Sequence, residues 1–162
     1  MMNRAEMNTR LNWFGIGLLL LFCMTGMALR SDKTPKGNEI DGVWLTQSKE
    51  SMIEISNAGN NYLGKIIWLK FPISPFTHKA KVDVKNPDPK LRDRPIIGLN
   101  LLIGFKYSTD TKIGEGDIYD PKSGTTYNCK VTLVDPNTLN IRGYIGALWM
   151  GLGRTEIWKR IK

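Results

Sequence analysis

From Gly42 onward, apolar and polar residues alternate with period two almost everywhere, and helical spacing is scarce. The pattern predicts strands at 42–47, 51–57, 62–70, 97–107, 113–120, 125–134, 138–146 and 153–161. In the third, Leu63, Ile67 and Leu69 share one face and Tyr62, Ile66 and Trp68 the other, so both faces are largely apolar. In the fourth, Ile97, Leu99, Leu101, Ile103, Phe105 and Tyr107 alternate along a single face, and Tyr127, Cys129, Val131 and Leu133 do so in the sixth. Asn57–Asn61, Asp120–Gly124 and Asp135–Asn137 supply the residues that tight turns require. Connections this short make neighbours antiparallel, since a parallel pair needs a long crossover. Eight such strands in meander order lose their exposed edges by closing, so the expected fold is all-β: a single antiparallel up-and-down barrel.

One connection is long. Phe71–Pro95 holds five prolines and the sole histidine, His78. A segment of that length in a compact domain is usually a lid or a binding loop, and one helical turn is expected within Pro89–Arg94, over a barrel mouth. An eight-stranded barrel either fills its interior with side chains or holds one small ligand, and the pattern leaves both open.

The start of the chain follows different rules. Leu11–Leu29 contains no charge, basic residues precede it, and Gly26 and Ala28 close it. Residues 1–28 therefore read as a signal peptide cleaved after Ala28. Two alternatives stand beside it: an uncleaved anchor through residues 11–29, and a lipid-modified Cys23, although Phe22 is large for a residue before such a cysteine. Each sends the remainder out of the cytoplasm, into the periplasm or the medium. Residues 29–41 are a polar linker, and 42–162 form one domain able to bury a single core. Cleavage would leave Cys129 alone, a small buried hydrophobe. The net charge of +8 would otherwise suggest nucleic acid, but an exported chain does not meet the genome. On such a chain the basic balance favours an anionic envelope surface.

Gly42 and Trp44 open the first strand, and Trp158 and Arg160 close the last. In a closed barrel these strands are neighbours, so Arg160 can lie across the Trp44 ring and plug one end. This pairing resembles the structural signature of lipocalins and related calycin barrels. The order of motifs is more specific. It runs from Gly64–Trp68, through Asn86–Gly98 and Gly116–Tyr127, to Leu139–Tyr144 and Gly153–Arg160. Across Gly42–Arg160 it resembles the bacterial domain-of-unknown-function family 2147. That resemblance implies an exported protein with a lipocalin-like fold and brings no established activity. The apolar Leu148–Met150 tip departs from the polar turn expected there.

Candidate chemistry is sparse. One histidine and no cysteine cluster leave no ligand set for zinc, and no nucleophile elbow, phosphate loop or dinucleotide fingerprint occurs, so neither a cofactor nor catalysis is expected. Asp83, Asp88, Asp93, Arg92 and Arg94 crowd the long segment. They read as a self-satisfied acid–arginine network, with a headgroup site on Arg92 or Arg94 as the sharper alternative; calcium on Asp83, Asn86 and Asp88 lacks a closing glutamate. Trp68, Tyr119, Tyr127 and Tyr144 are candidates for lining a cavity. The expected function is non-catalytic binding of an apolar or amphipathic small molecule or lipid. The alternative is a filled barrel that docks another envelope protein.

Overall fold

The computed structural model describes residues 39–161. The predicted signal or anchor segment lies outside the described residues. Among those residues no helix is long and apolar enough to cross a membrane.

Eight strands form in the predicted order: β1 (Gly42–Leu45), β2 (Ser51–Ala58), β3 (Asn61–Leu69), β4 (Asn100–Ser108), β5 (Ile113–Asp120), β6 (Thr125–Asp135), β7 (Thr138–Tyr144) and β8 (Gly153–Arg160). Each pairs antiparallel with the next, and β1 meets β8 to close the barrel. Register fixes the inner face. Val131 pairs with Ile141, Leu133 with Leu139, and Leu139 in turn with Trp158, and all five are buried. A side chain bordering a void large enough for water would carry accessible area; Trp44, Leu102, Phe105, Cys129, Val131 and Leu139 carry none to the nearest percent. The interior around these residues is filled.

The fourth strand departs from the simple alternation. It starts at Asn100, because Gly98 takes φ +94° and turns the chain, while its amide donates to Ile66 O. A bulge then inserts an extra residue between Ile103 and Lys106, with Gly104 at φ +61°, a conformation glycine adopts without steric cost. The bulge reverses the faces. Leu102 and Phe105 point inward, whereas Ile103, expected to share a face with Phe105, is 44% exposed on the outside. Phe105 fits because Gly114 and Gly116 face it; a Cβ on Gly114 would come within 2.1 Å of its ring.

At the closed end Trp44 and Arg160 of neighbouring strands meet. The Arg160 guanidinium sits 4.1 Å from the centroid of the Trp44 ring, donates to Pro136 O (2.6 Å) and Glu39 O (2.5 Å), and also bonds Asp41 O. Trp44 Nε1 donates to Ile40 O at 2.9 Å, so the indole is buried without an orphaned donor. The long segment leaves and re-enters at the opposite, open end. Its helical turn forms at Pro89–Leu91, with Asp88 capping the Lys90 amide at 2.9 Å.

Candidate functional site

Beyond the filled core, the inner face opens by degrees. Along β8 the inward positions are Trp158, buried; Glu156, whose side chain is 28% exposed; and Arg154, 81% exposed. Along β6 Cys129 is buried and Tyr127 half-buried, and along β7 Ile141 is buried and Gly143 half-buried. Ile118 of β5 pairs with Tyr127 and so shares its face. These residues meet: a Cβ on Gly143 would sit 3.6 Å from Ile118 Cγ2 and 3.9 Å from Tyr127 Cβ. On the β5–β8 side the inner face is therefore only partly covered towards the mouth: Ile118, Tyr127, Gly143 and Glu156 border a partly exposed stretch, called the recess below, that lies above buried Cys129, Ile141 and Trp158.

The recess has polar handles on an apolar base. Glu156 forms an ion pair with Arg154 and accepts from Trp158 Nε1 at 3.3 Å. The Tyr127 hydroxyl lies 3.5 Å from Ser123 Oγ at the rim. Burial, with a smaller contribution from Asp117, pushes the Cys129 thiol up to about 12, so the floor is a neutral, inert thiol at physiological pH. The wall is interrupted beside it. β1 pairs with β8 only through Trp44–Arg160 and Leu45–Lys159, so Gly153–Ile157 has no partner strand on that side. Gln47 Oε1 substitutes at one point by accepting from the Ile157 amide at 2.8 Å. Over the opening, Lys122 Nζ of the β5–β6 turn reaches Glu50 Oε2 of the β1–β2 turn at 3.1 Å. These turns are four strands apart around the ring, so the ion pair spans the mouth.

The arginine-rich segment builds something else. Asp83, fully buried, accepts from Tyr119 Oη (2.7 Å), Asn86 Nδ2 (2.8 Å) and Arg94, whose guanidinium lies 2.8 Å away and 5.5 Å from the centroid of the Tyr119 ring. Burial alone would raise the Asp83 carboxyl; the bonds from Asn86, Tyr119 and Arg94 outweigh it and hold the group below the usual carboxylate range. The Tyr119 hydroxyl is raised by burial and by the adjacent carboxylate. Because Tyr119 alternates with inward Ile118, it lies on the outer wall, and the network fastens the segment there rather than across the opening. Arg92 Nε donates to Asn86 O at 2.8 Å and tightens the same loop.

Of the cavity-lining candidates, Tyr127 faces the recess. Tyr144 pairs with Asn128 and Gly153 on the outer face, and Trp68 stands 38% exposed at the end of β3, beyond a register shift that breaks the alternation. Arg94 also borders a solvent-open furrow of about 490 Å³ on the outer wall, with Leu63, Pro95, Ile97, Leu99 and Ile103. Its one charged group is already matched by Asp83, which leaves that furrow without a free handle. Glu156 and Arg154 were passed over in the sequence, although they share the parity of Trp158 and Arg160; two charges on an inward-facing strand were the available signal. Among the described residues no cluster of three or more His, Cys, Asp or Glu is placed to hold a metal.

A closed eight-stranded meander with a Trp–Arg plug at one end and a mouth at the other is a lipocalin-like barrel. Residues 42–160 match the family described as "Uncharacterized protein conserved in bacteria (DUF2147)", and the chain belongs to that family. It is similar in structure to a solved protein described as "Protein HP1028 from the human pathogen Helicobacter pylori belongs to the lipocalin family". That likeness has a TM-score of 0.62 at 26% identity and covers 75% of this chain and 82% of the other. Among curated proteins none matches the sequence significantly.

Proposed function

We propose that this chain is an exported binding protein without catalysis, and that its site is the mouth-side recess rather than a deep calyx. The observation that carries this reading is the gradient along β6, β7 and β8, from complete burial at Cys129, Ile141 and Trp158 to partial exposure at Tyr127, Gly143 and Glu156. Packing stops there while the wall continues, which leaves a concave apolar surface edged by a few polar groups, as small-molecule sites are. With the lower half filled, the guest must be small. With Glu156 and Arg154 at the rim, it is amphipathic: an apolar body over Ile118 and Trp158, and a polar end at the ion pair. The chain's own acid is committed to Arg154 and Trp158 and is not poised as a general base.

Native mass spectrometry of the full chain, purified from its producing cells, tests this. A stoichiometric mass released by denaturation is expected. Gly143→Val should abolish it, since the new side chain enters the recess at ordinary contact distances, in a strand that favours Val. Ile103→Ser, in the outer furrow, should leave it unchanged. An apo mass that a cell-envelope lipid extract does not shift would remove the ligand. The packed lower half would then favour the second reading, a filled barrel that docks another protein.

A further inference from the structure

We infer that the open end of the barrel is a docking face for an anionic lipid bilayer, an inference independent of whether the recess holds a ligand. Two connections at that end carry aromatic side chains with nothing packed on them. Trp149 is 85% exposed at the tip of the β7–β8 connection, flanked by exposed Ile145, Met150 and Leu152. Phe76 is 92% exposed at the tip of a small hairpin in the long segment, which is closed by the Ile73–Ala80 bridge and the Ser74 amide bonded to Lys79 O. Both tips are structured. A short 3-10 turn at Leu148–Met150 ends in Gly151 at φ +73°, and the Ile145 amide donates to Leu152 O at 3.0 Å. Apolar groups held out on ordered turns are wedges, and a large exposed apolar surface marks an interaction site.

Charge selects the partner. Residues 82–99 are held along the outer wall, so the connections presented at the open end are 46–50, 70–81, 121–124 and 145–152, which contain five Lys and Arg against one acid. Those at the closed end (39–41, 59–60, 109–112 and 136–137) contain one against three. The open-end acid, Glu50, is matched by Lys122, which leaves four of the basic residues without an opposing charge among these connections. Lys79 and Lys81 belong to the Phe76 hairpin and residues 145–152 carry no charge, so the end presents apolar wedges with basic residues on the neighbouring connections. That order suits a bilayer with an apolar interior beneath anionic headgroups, where each basic residue near the surface adds to the attraction and Trp sits at the interface. A protein partner would need acidic groups placed to match individual lysines, whereas a bilayer asks only for net positive charge beside apolar wedges.

The test must read the face itself, because apolar residues 11–29 would by themselves retain a full chain on a bilayer. Hydroxyl-radical footprinting of the full chain is run with phosphatidylglycerol–phosphatidylcholine vesicles and with phosphatidylcholine alone. Expected is at least fivefold protection of the peptides carrying Trp149 and Phe76 on the anionic vesicles, little on the neutral ones, and none at Asp110–Lys112 of the closed end. Raising the salt, or Lys79→Glu with Lys81→Glu, should reduce the protection severalfold. Trp149→Ala with Phe76→Ser, both fully tolerable at such exposed sites, should lower protection of Met150 to the vesicle-free level. Vesicle-bound chain with Trp149 and Phe76 modified at the free rate would overturn the proposal. Protection that grows with protein concentration without vesicles would also overturn it, by making the face a contact between copies.

Discussion

The two ends of this barrel are made by the same strands and do opposite things with them. At the closed end large side chains meet: Trp44 is sealed under Arg160, whose guanidinium bonds three backbone carbonyls. At the open end the inner face runs through Gly143, Glu156 and Arg154, residues too small or too charged to fill the space between the walls. One strand shows the whole change, since β8 passes from Trp158 to Glu156 to Arg154 within five residues. Interior volume in a barrel of fixed strand number is set by side-chain size at inward positions. The boundary between structural and binding halves is therefore a sequence property of the inward register.

The sharpest way to break this comparison is to attack the sealed end. Trp44→Ala removes a fully buried ring and strands the Arg160 charge, and should cost about 3–5 kcal/mol, read as a lower urea midpoint. A loss under about 1 kcal/mol would mean that the plug is not where the barrel's stability lies. Next in size is Asp83→Ala, on the outer wall of the open end. It leaves the Tyr119 hydroxyl buried without its acceptor and the Asn86 amide with Tyr119 Oη alone, at about 2 kcal/mol in all, and should speed hydrogen exchange at the residue-83 and Ile96 amides that tie the segment down. The sign with pH follows from the lowered carboxyl. Its stabilisation is complete above the unfolded-state value of about 3.9 and is lost as pH falls through the lower folded-state value. Protection of the wild-type loop, taken relative to intrinsic exchange at each pH, should therefore fall in acid, and the Asp83→Ala chain should not share that fall.

Strand order, turns, the helical turn at Pro89 and the Trp44–Arg160 plug were legible in the sequence because each rests on local chemistry: alternation, turn residues, or two motifs at the ends of neighbouring strands. What was hidden depends on register. The reading of β4 failed at Gly104, where one bulged residue exchanges the faces, so Ile103 and Phe105 part company. Tyr119 looked like a lining residue until its alternation with Ile118 placed it outside, under the loop. Asp83 and Arg94 were visible as part of a self-satisfied acid–arginine network, but Asn86 entered the sequence reading only as a calcium ligand, and Tyr119 lies thirty-six residues on from Asp83, a distance no local spacing marks. Glu156 was readable from parity alone and was overlooked because charges are not expected on an inner face.

A smaller effect sharpens the comparison from the other side. Gly143→Val should change stability by no more than about 1 kcal/mol, since its β-carbon meets Ile118 and Tyr127 at 3.6 and 3.9 Å without overlap. The same change at a packed glycine, Gly114→Val, should be severely destabilising, because even a β-carbon there falls within 2.1 Å of the Phe105 ring. Thermal melts of the two variants compare the full and the empty halves of the barrel directly. Equal losses would erase the distinction.

The smallest expected effect concerns the ion pair across the mouth. Lys122 and Glu50 are 81% and 44% exposed, so water screens their attraction and two long side chains lose freedom to hold it. A double-mutant cycle with Lys122→Ala and Glu50→Ala should give a coupling of about 0.5 kcal/mol or less, and high salt should remove it. So weak a bond cannot be holding the barrel closed, yet it joins turns on opposite sides of the ring. If it constrains passage, its removal changes rates while leaving stability alone. Ligand released from the recess should leave several times faster from Lys122→Ala than from the parent chain, with melting temperatures within about a degree of each other. An unchanged off-rate would direct entry to the gap beside Gly153–Ile157, where β8 outruns β1. Gln47→Ala, which removes the side chain bonding the Ile157 amide, would then be the variant that moves it.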